Sequence, residues 1–119
     1  LTKDRDYEIL FTEGKFAGSN FVTAKMWVIE PEKYPRRNYL KTDLKIGFLV
    51  SKKVDKRAVV RNRLKRQMRE VVRLLLKDNK LKPGSMIAFM AKPEAKTAEY
   101  QDLETDILFI LKRMRVLYD

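Results

Sequence analysis

The stretch Ser51 to Leu76, SKKVDKRAVVRNRLKRQMREVVRLLL, constrains this 119-residue chain more than any other. Between Ser51 and Arg73 stand ten Lys or Arg (Lys52, Lys53, Lys56, Arg57, Arg61, Arg63, Lys65, Arg66, Arg69, Arg73) against Asp55 and Glu70 alone. That segment therefore carries +8 of the chain's +11 formal charge. From Arg57 onward it has neither Gly nor Pro, and Val60, Leu64, Met68, Val71 and Leu75 recur at helical spacing. On a helix these five share one face, while Asn62, Arg66, Arg69 and Arg73 take the opposite face with Lys65 at its edge. One helix buries an apolar stripe and presents a cationic one.

Helix faces that are merely solvated commonly alternate sign and form i,i+4 pairs. Here Glu70 is the only acid between Lys56 and Lys77, and its neighbours Arg66 and Arg73 leave most of the cations unpaired. Repulsion of that density is relieved by an anionic polymer. Asn62 competes for backbone hydrogen bonds in a helix interior, a penalty that is small in the first turns. The residues point to a nucleic-acid surface.

The rest of the composition narrows the choice. A chain of this length fits one domain burying about 65% of its unfolded surface without covalent staples. With no Cys there are no disulfides or thiolate metal sites, and with no His the commonest general base and metal ligand are missing. No apolar run approaches the roughly 18 residues of a membrane span and no secretory signal pattern is visible, so a cytoplasmic location is expected.

Taken in order, the chain opens with a short helix over 1–12, N-capped by Thr2 or Asp4, with Tyr7, Leu10 and Phe11 on one face. Gly14 and Gly18 punctuate a turn region that includes Phe16. Phe21 to Glu30 reads as a strand apolar on both sides and so covered on both faces. Pro31 to Asp43 is a loop whose Arg36, Arg37 and Lys41 are ordinary exposed charge. Leu44 to Ser51 is a second strand with Ile46, Phe48 and Val50 on one face, and Lys52 and Lys53 extend the cationic surface at its end. After the basic helix, Asp78 to Gly84 turns and Ser85 to Met90 forms a short buried strand. A strand, a crossover helix and a strand imply a parallel pair within a mixed sheet, ordinarily of right-handed connection. A last helix runs from about Thr97, its N-cap, to Leu117, with Leu103, Ile107, Ile110, Leu111, Met114 and Leu117 inward. Glu99, Asp102 and Asp106 suggest a carboxylate pair or metal site. Their place in the first turns, with Lys112, Arg113 and Arg115 in the last, fits the helix dipole better. No Ser-His-Asp set, phosphate loop or metal spacing is present.

The ordered set Arg61-Asn62-Arg63, Lys65-Arg66 and Arg69-Glu70, preceded by Ser51-Lys52-Lys53 and by Gly47-Phe48, resembles the bacterial ribonuclease P protein component family. The similarity extends to the aromatic first helix, Asn20-Phe21-Val22, Ile46-Gly47-Phe48, and Ile87 to Pro93 before the final helix. It implies an α+β fold, a single-domain α/β sandwich over residues 1–119 with αβββαβα order and a mixed four-stranded sheet. It also implies a left-handed βαβ crossover, as in the ribosomal protein S5 domain 2-like fold. In such a family the catalyst is a large RNA that cleaves precursor tRNA endonucleolytically, releasing the 5′ leader, and the protein assists in a 1:1 ribonucleoprotein. Mg²⁺ is then held mainly by the RNA partner and substrate.

On that resemblance, Lys52, Lys53, Arg57, Arg61, Asn62, Arg63, Lys65, Arg66 and Arg69 grip the ribonuclease P RNA. Arg61 faces inward and is the one that equally fits packing near the helix start. Tyr7 and Phe11, with Phe48 on the adjoining sheet face, hold the leader of precursor tRNA, since bases stack on aromatic faces without a sequence requirement. Where Ala24 stands the family often has an aromatic on the cleft side, which would leave part of the leader surface missing. Lys45 stands where Arg is often found. Three readings compete. A ribosomal or other structural RNA-binding protein shares the charge but would not depend on a leader. A DNA-binding regulator would favour a short helix–turn–helix and a dimer surface. A membrane-surface or calmodulin-target helix is seldom embedded between strands.

Overall fold

The computed structural model describes residues 4–118. Seven main elements follow one another: α1 (Asp4–Glu13), β1 (Lys15–Gly18), β2 (Val22–Val28), β3 (Leu44–Leu49), α2 (Ala58–Lys77), β4 (Ser85–Ala91) and α3 (Tyr100–Arg113). The strands form one sheet in the order β1-β2-β4-β3, antiparallel except for the parallel pair β3–β4 that α2 connects. This is the expected mixed α+β sheet with three helices. It leaves β1 and β3 as the two edges.

Alternation along β4 divides the molecule into two layers of core. Ile87 and Phe89 face α2 and α3, meeting Leu64, Met68, Leu103, Ile107, Ile110 and Leu111, all buried. Met86 and Ala88 face the other way, where Ile9 and Leu10 of α1 pack with Trp27 and Tyr39. The stripe expected on α2 is the buried one: Leu64, Met68, Val71 and Val72 are inside, with Val60 and Leu75 at its margin. The second of these clusters is what fixes α1 against the sheet.

Several boundaries depart from the sequence reading, each for a local reason. The turn region around Phe16 is a strand, because Lys15 to Gly18 pair with Met26 to Thr23 of β2. Four residues ending in Gly carry too little alternation to announce it. Gly14 ends α1, with its N–H bonding the Leu10 carbonyl at 2.8 Å, and a Cβ there would lie 2.3 Å from that oxygen. β2 is covered on both faces only in part: Val22, Ala24 and Met26 are buried against the helices and Trp27 under α1, but Val28 is exposed. Thr97 does not cap the last helix. Pro93 to Thr97 make a 3-10 turn anchored by buried Ala95, and α3 starts after Glu99, whose N–H bonds the Asp102 carboxylate at 3.0 Å. The helix also stops early, at Arg113, since Arg115 takes a left-handed φ of 60° and Leu117 instead bridges to Leu81. At the other end, the proposed cap Thr2 lies outside the described residues.

Candidate RNA interface

The approach to α2 is organised by an acid. Val54 is buried and holds the loop down, and Asp55 beside it is buried within a field of cations. Its carboxylate accepts from the Arg57 backbone N–H at 2.8 Å, from Arg57 Nε at 3.1 Å and from Nη2 at 2.9 Å. Lys96 Nζ stands 3.9 Å away. The side-chain and backbone hydrogen bonds from Arg57 hold the Asp55 carboxyl far below the usual carboxylate range. With no acid in its own first turn, α2 takes from Asp55 the negative charge that a helix N-terminus favours.

Two further arginines are tied down there. Arg61 Nη1 donates to the carbonyls of Asp55, at 3.1 Å, and Lys56, at 2.7 Å. Arg63 Nη2 donates to the Lys96 carbonyl at 3.1 Å, joining α2 to the turn after β4. Arg57, Arg61 and Arg63 thus build the platform. Arg57 still has a side chain 68% exposed and engages only two of its five N–H donors in the pair, so it can bridge inward and outward at once.

The outward layer is free of such ties. Lys52, Lys53, Asn62 and Arg66 are exposed and Lys65 is half-buried at the edge. Among the described residues none of these four cations is in an ion pair, whereas Arg73 spends its charge on Glu70 at 2.6 Å. Arg57, Asn62, Arg63 and Arg66 line one shallow depression of about 690 Å³ with Lys96, and Lys52, Lys53, Lys56 and Arg57 line a neighbouring one of about 510 Å³, also with Lys96. The sequence places Lys56 in the cationic segment but not among the RNA-gripping residues, and nothing in it points to Lys96. Lys96 comes from a turn 33 residues beyond Arg63 and no helical period could place it beside the patch.

A second site lies at the β3 edge, a cleft of about 700 Å³. Asp6 and Tyr7 of α1 line it, with Leu44 to Phe48 of β3 and Arg69, Val72, Arg73 and Leu76 of α2. Tyr7 stacks on Phe11 at a centroid distance of 6.2 Å and an interplanar angle of 22°. Phe48 stacks on Phe89 at 5.8 Å and 16°, and the Arg69 guanidinium lies 6.0 Å from the Phe48 centroid. Tyr7 and Phe48 therefore share a cleft, but from opposite faces of the sheet, and the cleft wraps round the β3 edge. Phe11 lies further along α1, outside it, over Lys25 of β2.

Ala24 requires a correction. It is fully buried among the α2–α3 core, so its small side chain removes nothing from the α1 side, where Lys25 and Trp27 stand. The floor under α1 is held by buried Asp6, which accepts from Tyr39 Oη at 2.5 Å and Arg37 Nη2 at 3.3 Å, with Lys45 Nζ at 3.8 Å. Burial alone would raise the Asp6 carboxyl, but these hydrogen bonds and charges win and hold it below the usual value. Arg37 thus has a structural partner that its place in a basic loop did not reveal. Glu13 similarly binds Lys33 and Tyr34, fastening the same loop to the end of α1.

The acids of α3 separate by role. Asp102 caps the helix start as described, while Asp106 is buried and accepts the Phe21 backbone N–H at 2.6 Å, tying α3 to the head of β2. Helix-dipole complementarity therefore does not account for Asp106. Among the described residues no three acidic side chains gather as a metal site would require.

Comparison with known proteins adds a family to this geometry. The family model described as Ribonuclease P matches residues 1–115. This chain belongs to the ribonuclease P protein family. It is 44% identical over 118 residues to the ribonuclease P protein component of Pseudanabaena sp., covering 99% of this chain and 92% of that one. To the component of Alkaliphilus metalliredigens it is 32% identical over 117 residues, covering 98% and 94%. The structure of the Staphylococcus aureus RNase P protein superposes with a TM-score of 0.79 at 19% identity, covering 99% and 96% of the two chains. The RNase P protein from Thermotoga maritima gives 0.74 at 22%, covering 95% and 94%. These structures share the fold, and the family is carried by the sequence matches.

Proposed function

We propose that this chain is the protein subunit of a ribonuclease P ribonucleoprotein, binding the catalytic RNA through α2 and the 5′ leader of precursor tRNA through the cleft. The observation that carries this reading is the sorting of side chains along the loop before α2 and its first turns. Arg57, Arg61 and Arg63 are fastened to protein carbonyls and Asp55, while Lys52, Lys53, Asn62, Lys65 and Arg66 are left for a partner. An inner layer that fixes an outer one suits phosphate recognition, where Arg and Lys set register on the backbone. Arg69, leaning over Phe48, links that surface to the cleft.

Catalysis in this reading belongs to the RNA. The chain has no His, the commonest general base, and Asp102 and Asp106 serve as a helix cap and a tie to β2 rather than as a catalytic carboxylate pair. Mg²⁺ is bound by the RNA partner and substrate, and the protein's cations lower the concentration needed by replacing metal ions at crowded phosphates. One protein per RNA in the cytoplasm completes the proposal. No described helix is long and apolar enough to cross a membrane.

Reconstitution tests it. The purified protein is mixed with a bacterial ribonuclease P RNA at low Mg²⁺, and cleavage of precursor tRNA is compared for a long and a single-nucleotide leader. Rescue of cleavage, larger for the long leader and lost in the Arg66→Ala/Arg69→Ala variant, supports both surfaces. Tight RNA binding without rescue would instead favour a structural RNA-binding protein.

A further inference from the structure

We infer that the single-stranded path continues beyond the cleft to a second stacking position at Phe16 on the β1 edge, which takes leader nucleotides further upstream. This inference deepens the proposed function and rests on it. Phe16 is 65% exposed, the most exposed aromatic among the described residues. It is the register partner of Lys25, so both project from the same face of the sheet. Lys25 in turn lies 5.7 Å from the Phe11 centroid, with Nζ bonded to the Phe11 carbonyl at 2.9 Å. Tyr7, Phe11, Lys25 and Phe16 therefore form one track running from the cleft across the sheet to its outer edge.

The chemistry of the track selects its occupant. Aromatic faces alternate with the Lys25 ammonium group, which suits bases joined by phosphates. Two Phe16 ring carbons lie 3.5 Å from where a Gly18 Cβ would sit, so the ring leans along the strand over Gly18, on the face it shares with Thr23. A buried core role is excluded by the exposure. A protein partner would have no use for continuity with Phe11 and the cleft, and single-stranded RNA leaving the cleft has every use for it.

The test is a holoenzyme binding series on precursor tRNAs whose leaders grow one nucleotide at a time, with Phe16→Ala and Phe16→Tyr. Phe16→Ala should leave short leaders unaffected and cut affinity about fivefold or more once the leader passes the length that fills the cleft. Phe16→Tyr, which keeps the stacking face, should restore it. Equal affinities for wild type and Phe16→Ala at every length overturn the inference while leaving the proposed function intact, and assign the exposed ring to another partner. Loss that is uniform across all lengths also overturns it, as damage to the protein. If the wild type shows no leader-length dependence at all, the proposed function itself fails and takes this inference with it.

Discussion

Arg69 on α2 covers the ring of Phe48 on β3, its guanidinium 6.0 Å from the ring centroid. The ring is backed in turn by Phe89 of β4 at 5.8 Å. This stack is where the cationic helix and the aromatic cleft become one surface. A guanidinium can lie flat on a ring and still donate in its own plane, which an ammonium cannot do. Arg69→Lys should therefore keep the charge and lose the alignment, lowering affinity for a long-leader precursor tRNA by about 0.5–1 kcal/mol. A titration against wild type, with a single-nucleotide leader as control, reads this directly. Equal affinities would assign Arg69 to charge alone.

The outer cations should act differently, through counterion release. Lys52, Lys53 and Arg66 are exposed and are in no ion pair among the described residues, so truncation has little to disturb in the fold. Each phosphate contact contributes roughly 0.7–0.9 to the slope of log K against log salt. The Lys52→Ala/Lys53→Ala/Arg66→Ala variant should then bind ribonuclease P RNA more weakly at low salt and show a slope shallower by about two to three. A loss of affinity with an unchanged slope would mean these side chains do not neutralise phosphates.

What could be read from the sequence follows the range of the forces involved. The α2 stripe, from Val60 to Leu75, and the opposing cations repeat every turn, so periodicity alone located both faces. Arg61 was visible as an inward-facing cation, though not its partners, because the Asp55 and Lys56 carbonyls that hold it are backbone. β1 reads as a turn in the sequence, since its pairing with β2 is a tertiary fact that four residues do not encode. The partners of Lys96, Arg37 and Asp6 are not legible there for one shared reason: each joins its site from an element far along the chain. Asp106 looked like a dipole residue by position, and only the arrival of the Phe21 N–H gives it another role.

That tie carries a stability prediction. The Phe21 N–H sits at the head of β2, and Asp106 reaches it from α3 while itself only 4% exposed. Removing the buried acceptor from a partly buried donor costs about 1–2 kcal/mol, toward the lower part of the range for a donor left unpaired. Asp106→Ala should lower the urea midpoint accordingly with the denaturant slope unchanged, and RNA affinity under native conditions should not move. A variant as stable as wild type would show that the N–H finds another acceptor.

Asp55 predicts a dependence on acid. Its carboxyl is held far below the ordinary value of 3.8 in the folded chain by the side-chain and backbone hydrogen bonds of Arg57, with the charges of Arg57 and Lys96 acting in the same direction. A carboxyl depressed by folding stabilises the native state wherever the unfolded chain would already be ionised, and that stability is lost as pH falls through the folded value. The advantage of wild type over Asp55→Asn should thus be constant from neutral pH down to about pH 5, then shrink steadily as the pH drops below the unfolded carboxyl's range. Asn keeps the shape and one acceptor oxygen but not the charge that holds Arg57, so the comparison isolates the ion pair from the packing of Val54. Chemical denaturation of both proteins at stepped pH gives the two curves. Curves that stay parallel into acid would mean that Asp55 holds the loop by shape, and that the repulsion among the α2 cations is relieved by some other group.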